Sequence, residues 1–183
     1  PMGQTCKNLY VSTTGNPIAT GTIFDPTTLE EALNRAVYSQ TIIKMAGGTY
    51  YIDSALKIPS YVTLEGGFME NMAWAKTSEV GATTIHRTNA HAEGVANVNR
   101  HLTALEIMGS GHFRLQDLSI RTADALVPGT STYGIYMSNV SDYHITRCNI
   151  EPGNATNGAA GGSSCLFAST IMNGDPGADG ADG

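Results

Sequence analysis

The chain has 183 residues, a formal net charge of −6, 41% hydrophobic residues and 14% charged residues. This balance is typical of a single folded domain and excludes a disordered chain. The ten Lys and Arg residues are scattered without a basic stripe, so we predict no nucleic-acid binding. No apolar run approaches the roughly 18 residues that a membrane-spanning helix needs, so we predict no membrane span in this segment.

The first elements predicted along the chain are a short strand at residues 9–13 and an amphipathic helix at about residues 27–37. Thr27 or Thr28 can cap this helix, and acidic residues fill its first turn. Its apolar face would consist of Leu29, Leu33, Ala36 and Val37. A helix in this position would cover the open N-terminal end of a stack of strands, so we interpret it as a capping helix.

Short strand patterns follow the helix and are separated by Gly or Pro-Ser corners. They lie at residues 41–45, 47–50, 56–58, 62–68 and 83–85. Two stretches interrupt them, and we predict that both leave the stack as loops. The first, residues 69–82, contains the single tryptophan, Trp74, and the second is residues 88–100.

The second half of the chain repeats itself after 30 residues. Six apolar positions are followed 30 residues later by six more, with mostly polar residues, Gly or Ser between them. The two sets are Leu105, Ile107, Phe113, Leu115, Leu118 and Ile120, and Ile135, Met137, Tyr143, Ile145, Cys148 and Ile150. Spacing by two is strand alternation, and a fixed period marks a stacked repeat. We therefore predict an all-β fold, a right-handed parallel β-helix (solenoid) with an N-terminal capping α-helix, in which these positions point inward.

The C-terminal residues differ in composition from the repeats. Residues 153–164 are small and polar, residues 166–172 could form one last strand, and Gly occupies every third place of the final ten residues. We predict a β-helix domain at residues 1–172 and a tail at residues 173–183. The tail is either a Gly-rich linker or the start of a collagen-like stalk, which would imply a homotrimer. No capping pattern follows the last strand, which predicts a longer solenoid continuation or a partner over that end.

Three cysteines, Cys6, Cys148 and Cys165, leave two interpretations open. They lack Cys-x-x-Cys spacing, and the His residues are not at metal-ligand spacing, so we predict no metal site and no cofactor. Cys148 is either a buried thiol in a core stack or one half of a Cys148–Cys165 disulfide that closes the Gly-rich loop between them.

The first half of the chain resembles the opening of the pectin-lyase-like right-handed β-helix superfamily. The resemblance rests on the run from Thr28 to Leu33, then Ile42-Ile43, Gly48-Thr49-Tyr50, the stretch 62–68 that ends in Gly66-Gly67-Phe68, a loop with Trp74, and Thr83-Thr84-Ile85. It covers roughly residues 9–150 and looks most like large bacterial surface proteins similar to polymorphic outer-membrane adhesins. The resemblance implies the fold, but this fold hosts lyases, hydrolases and non-catalytic adhesins alike.

Outward positions of the 30-residue register supply charged candidate residues. Asp117 stacks on Arg147, and Arg121 stacks on Glu151. The favoured interpretation is cross-strand pairing on a solvated face. In the alternative, Asp117 or Glu151 would act as a catalytic acid or base. Arg121 or Arg147 would then hold a substrate carboxylate.

An aromatic side chain supplies a further candidate. Tyr136 lies between two inward register positions, so we expect its ring to point outward, where it could stack on a sugar ring. Our candidate ligand-binding residues are therefore Tyr136, Arg121, Glu151 and Arg147, and we assign no catalytic residue.

Two classes of function remain at this point. The favoured one is a non-catalytic bacterial module, an adhesin or a structural stalk or fibre segment, in an extracellular or cell-surface location. Its partner would be a surface glycan or another ligand on a host or neighbouring cell. The alternative is a fragment of a polysaccharide lyase or glycoside hydrolase of the pectin-lyase-like fold. The resemblance supports the enzyme, whereas the lack of a convergent carboxylate pair counts against it.

Overall fold

The computed structural model describes residues 7–36, 40–77, 79, 81–95, 98–109 and 111–158. One helix, one 3₁₀ turn and thirteen strands lie in these ranges. In chain order they are β1 (Lys7–Val11), α1 (Leu29–Ala36), β2 (Thr41–Ala46), β3 (Gly48–Ile52), β4 (Leu56–Lys57), β5 (Val62–Met69), the 3₁₀ turn (Glu70–Met72), β6 (Ala75–Lys76), β7 (Thr83–Arg87), β8 (His101–Met108), β9 (Arg114–Gln116), β10 (Ser119–Thr122), β11 (Ser131–Ser138), β12 (His144–Thr146) and β13 (Asn149–Glu151).

The strands form three sheets that run side by side along a solenoid. The first sheet has the order β1-β2-β5-β9-β12, the second β3-β7-β10-β13, and the third β4-β8-β11. All neighbours in these orders are parallel, and the short β6 adds to β5 in the antiparallel sense. The chain therefore folds into a parallel β-solenoid of about four turns, which confirms the predicted all-β stacked architecture.

The 30-residue repeat is the register of the last two turns. Leu105 pairs with Ile135, Leu115 with Ile145, and Ile120 with Ile150. Earlier turns have other lengths, since 35 residues separate Tyr50 from its partner Ile85, and another 35 separate Ile85 from Ile120. The two predicted loops fall within these longer turns, which explains why only the last two turns are visible as a sequence repeat.

Helix α1 joins the same core as the strands. The side chains of Leu29, Ala32, Leu33 and Ala36 are buried together with Leu9 and Val11 of β1 and Ile43 and Met45 of β2. Thr28 caps the helix, because its Oγ1 accepts a hydrogen bond from the N–H of Glu31 at 3.3 Å. Val37, the last residue of the predicted helix, lies outside the described residues.

The last described turn is less buried than its register predicts. Tyr143 was expected in the core, but it is 43% exposed, and its ring stacks on Phe113 at a centroid distance of 5.4 Å. Met137 and Ile150 are also exposed, whereas the partners of these residues one turn earlier are fully buried. A side chain in a stack is buried only when layers lie on both sides of it, and no described strand follows β11, β12 or β13. The prediction that Tyr143 is a core residue is therefore wrong for the described part of the chain.

Several predictions at the two ends fall outside the described residues. Cys6, Cys165 and the tail at residues 173–183 are among them, so the disulfide, the collagen-like stalk and the homotrimer stay predictions. Cys148 itself is partly buried, and its Sγ lies 3.5 Å from the carbonyl oxygen of Thr146. Burial raises the pKa of this thiol, so it is poorly reactive at neutral pH.

The loop with Trp74 folds back onto the outer face of the first sheet. Strand β6 pairs with the end of β5, where Phe68 is the partner of Lys76. The Trp74 ring meets Tyr10 edge-on at 4.9 Å and donates from Nε1 to the carbonyl oxygen of Ile23 at 3.1 Å. Trp74 is therefore a buried anchor outside the coil, not an exposed binding aromatic.

The second loop, which follows β7, is organised by a buried arginine. Arg87 has no exposed surface. Its guanidinium donates to the carbonyl oxygens of Thr88, Ala90 and His91 at 2.7 to 3.0 Å and to the carboxylate of Glu93 at 2.9 Å. This one side chain donates hydrogen bonds to four acceptors of the loop and therefore holds residues 88–93 against the solenoid.

Candidate functional site

Arg121 and Glu151 lie on the outer face of the second sheet. Their side chains are each about half exposed and form an ion pair of 2.8 Å. The strand register places Tyr51, His86, Arg121 and Glu151 in one column across four turns, and Tyr51 meets His86 edge-on at 5.4 Å. Sequence reasoning missed Tyr51 and His86 because 35 residues, not 30, separate the first three members of this column.

The charged end of this column is already satisfied within the protein. Glu151 accepts hydrogen bonds from Arg121 and, at 2.6 Å, from the side-chain amide of Asn149. A ligand would have to compete with both contacts. Exposed pairs of this kind contribute a fraction of 1 kcal/mol to stability, about what cross-strand pairing is expected to give.

Arg147 lies at the corner between β12 and β13 and is held by Asp117 of the turn below. Its Nε and one Nη reach the two carboxylate oxygens of Asp117 at 2.5 and 2.9 Å. Both residues have positive φ, 56° and 51°, so equivalent left-handed corners stack on each other. Lys76 completes the cluster, because its Nζ lies 2.7 Å from both Asp117 and Glu65. Arg147 is therefore engaged in an intramolecular network.

This network makes a pH-dependent contribution to stability. The hydrogen bond from Arg147, and after it those from Lys76 and Gln116, hold the pKa of Asp117 well below its usual range. A depressed carboxyl pKa stabilises the fold above the unfolded pKa of about 3.9, and this stabilisation is lost as the pH falls through the folded pKa. We expect Asp117→Asn to lower the melting temperature at pH 7, because the pairing of Asp117 with Arg147 and Lys76 loses its charge. The loss should be only a few degrees, since solvent screens the exposed side chain of Arg147. In thermal melts, the difference in melting temperature between the variant and the parent protein should shrink below about pH 4. A difference that grows there would contradict the stabilising role of the Asp117 carboxylate.

Tyr136 lies on the outer face of the third sheet. It is 43% exposed, and its register partner on β8 is Glu106, which in turn pairs with Lys57 of β4. The ring of Tyr133, also exposed, meets the ring of Tyr136 at a centroid distance of 5.8 Å, and the ring of His101 lies 6.0 Å from that of Tyr133. Tyr136 is thus the end of a short row of aromatic rings. Sequence reasoning did not identify Tyr133 as a surface aromatic. Strict alternation from the inward Ile135 would place Tyr133 inward, but both Tyr133 and Tyr136 are exposed.

A groove of about 750 Å³ lies between α1 and the third sheet, and one of its lining residues, Glu106, is the register partner of Tyr136. We call it the third-sheet groove. Buried core side chains, Leu33, Leu56 and Ile58, contribute to its apolar lining, and Met108 adds an exposed apolar side chain. Its polar lining side chains are Glu30, Asn34, Ser54, Lys57 and Glu106.

The polar side chains of the third-sheet groove are available to a ligand. No hydrogen bond or ion pair joins the side chains of Glu30, Asn34, Lys57 or Glu106 to another described residue. A volume of this size and an apolar lining with a few polar groups are typical of small-ligand sites. The groove was not predicted, because Glu30 and Glu106 are far apart in the sequence and come together only in the folded solenoid.

The four predicted binding residues are not brought into one site. Arg121 and Glu151 lie on the second sheet, Arg147 lies at a corner, and Tyr136 lies on the third sheet.

Within the described ranges, no three His, Cys, Asp or Glu side chains converge as a metal site would require. Among the same residues, no helix is long and apolar enough to cross a membrane.

Comparison of the chain with models of protein families, with curated proteins and with solved structures finds no match. The architecture therefore rests on the strand pairing described above. Membership of the pectin-lyase-like superfamily stays a prediction, and the function must be argued from the geometry of the surface.

Proposed function

We propose that the chain is a non-catalytic glycan-binding module of an extracellular or cell-surface protein, an adhesin or a stalk segment, and that the glycan binds at the third-sheet groove. The observation that carries the proposal is the exposed ring of Tyr136, whose strand neighbour Glu106 lines a groove with polar side chains that have no partner among the described residues. The proposal includes a right-handed pectin-lyase-like solenoid in which α1 caps the N-terminal end.

The chemistry of the groove suits a sugar. A pyranose ring has an apolar C–H face that stacks on an aromatic ring, and hydroxyl groups at its edge that need hydrogen-bond partners. Tyr136 supplies the ring, and Glu106 and Lys57 follow it on the two neighbouring strands of the same sheet. The carboxylate accepts and the ammonium donates hydrogen bonds, so both kinds of hydroxyl contact are served.

The rest of the solenoid would act as a rigid support. Arg121, Glu151 and Arg147 are assigned to cross-turn pairing, because their charged groups already have intramolecular partners. Parallel sheets stacked over about four turns fix the groove on regular strands, which holds a binding site more precisely than loops do.

The Tyr136→Ala variant tests this proposal. We expect wild-type protein to retain members of a printed glycan array, and the variant to bind the same glycans at least tenfold more weakly, which corresponds to about 1.4 kcal/mol. Calorimetry on the retained glycans would measure the affinities. Tyr51→Ala is the matched control, because Tyr51 is 69% exposed on the second sheet, away from the groove. Failure of the array to retain any glycan, or equal losses in the two variants, would contradict the proposal.

A specific observation favours the enzymatic alternative. Two carboxylates, Glu30 and Glu106, line the third-sheet groove, and most glycoside hydrolases use a carboxylate pair. The assay is incubation with polygalacturonate, with and without calcium, and with neutral β-glucans. Unsaturated products or new reducing ends that disappear in Glu106→Gln would replace the non-catalytic proposal by a lyase or a hydrolase.

A further inference from the structure

The charges at the third-sheet groove indicate which class of glycan the groove binds. An inference about that class rests on the proposed function. Glu30 comes from the first turn of α1, and Glu106 comes from the middle of β8. Both carboxylates line the same groove, although the two residues lie on different elements. Lys57 is the single cationic side chain among the lining residues, so the groove has an excess of negative charge.

The surroundings of Glu106 favour a bound cation. Its neighbours on the adjacent strands are Lys57 on one side and Tyr136 on the other. Lys57 and Glu106 have opposite charges on paired residues, yet no ion pair within 4.0 Å joins them. The carboxylate therefore has no cationic partner among the described residues, and the ring of Tyr136, the strand neighbour on its other side, can attract a cation with its face.

We infer that the third-sheet groove binds glycans that carry free amines, which means hexosamine units whose nitrogen is not acetylated. The sugar ammonium would lie between the carboxylate of Glu106 and the ring of Tyr136, with Glu30 as the second anionic contact. A charge-assisted hydrogen bond to a carboxylate is about twice as strong as a neutral one. The net charge of −6 over the chain attracts such a ligand and repels polyuronates.

Lys57 is the residue that opposes this selectivity. Its ammonium would repel the ligand amine, although it can still donate to sugar hydroxyls. Lys57→Gln keeps a hydrogen-bond donor, on a side chain one atom shorter, and removes the charge. We expect this variant to bind amine-bearing oligosaccharides a few times more tightly than the parent protein does.

The test compares three oligosaccharides of matched length with the intact chain. They are β-1,4-linked glucosamine oligomers, their fully N-acetylated counterparts and oligogalacturonates, measured by calorimetry at low salt. We expect the glucosamine oligomer to bind at least tenfold more tightly than its acetylated counterpart, with the difference shrinking as salt screens the charges. Glu106→Gln should weaken the glucosamine oligomer much more than its acetylated counterpart and so remove most of this preference, because the amide can still bond to sugar hydroxyls but carries no charge. Glu30→Gln should reduce it, and Glu79→Gln, an exposed carboxylate outside the groove, should leave it unchanged.

The outcomes separate this inference from the proposed function. Equal or tighter binding of the acetylated oligomer or of oligogalacturonate overturns the amine selectivity. If that binding still depends on Tyr136, the glycan-binding proposal stands. If none of the three probes binds but the array reveals another Tyr136-dependent glycan, the inference is again overturned alone. A protein that binds no glycan overturns both. Circular dichroism of each variant shows whether a lost affinity reflects lost folding.

Discussion

Arg87→Met is expected to lower the free energy of unfolding by about 3–5 kcal/mol, the cost of breaking a buried ion pair on one side. The guanidinium has no exposed surface and is the hydrogen-bond donor to three carbonyl oxygens and to Glu93. Methionine fills much of the volume but leaves the three carbonyl oxygens without this donor and Glu93 without its cationic partner. Because a domain of this size is stable by only about 5–15 kcal/mol, urea unfolding followed by circular dichroism will resolve the loss.

Glu93 explains why the effect of Arg87 extends beyond one ion pair. Its carboxylate also accepts from the backbone N–H of Ala55 at 2.8 Å and of Thr103 at 3.3 Å. The pair therefore connects the residues before β4 with β8 and with the loop after β7. We expect Arg87→Lys to recover part of the loss, since it keeps the charge but reaches fewer acceptors.

A matched control separates burial from charge in this experiment. Arg121→Met removes an arginine of similar length from an exposed ion pair with Glu151, and we expect a cost below about 1 kcal/mol. If Arg87→Met proves too unstable to purify, Glu93→Gln offers a milder test, because the amide oxygen can still accept from Arg87 and Ala55, whereas the charge and the acceptor for the N–H of Thr103 are lost. A loss under about 1 kcal/mol for Arg87→Met would show that water reaches the loop carbonyls and that Arg87 is not the anchor described above.

The stacked architecture could be predicted because the last two turns have equal length. The register Leu105 to Ile135 and Leu115 to Ile145 is written directly into the sequence as a 30-residue offset. The earlier turns gave no such signal: 49 residues separate the partners Leu56 and Leu105, because two loops lie between them. Sequence comparison within the chain detects a repeat only where such insertions are absent.

The candidate site was only partly accessible to sequence reasoning. The outward position of Tyr136 and the pairing of Arg121 with Glu151 follow from the register. The third-sheet groove does not follow from the register, because Glu30 belongs to a helix and Glu106 belongs to a strand that comes much later in the chain. Arg87 did have a local signal, since it shares the parity of the buried Thr83 and Ile85 in β7 and therefore points inward.

The stack of Leu64, Leu115 and Ile145 supports a second prediction of large effect. These residues are register partners on three successive strands of the first sheet, and Leu115 is fully buried between the other two. We expect Leu115→Ala to cost about 3 kcal/mol, the transfer free energy of the lost methyl groups and the cavity that they leave. Denaturant titration would measure it.

Ile145→Ala is the matched control, because it removes a side chain of the same size from the same stack one turn later. Ile145 is only partly buried and packs at the edge of the core, so we expect a cost of about 1 kcal/mol. The ratio of the two costs measures how open the last described turn is in solution. Equal losses of about 3 kcal/mol would mean that Ile145 is covered on both sides, which would contradict the exposed inner face at β11, β12 and β13. A small loss in both variants would contradict the packing of the solenoid core itself.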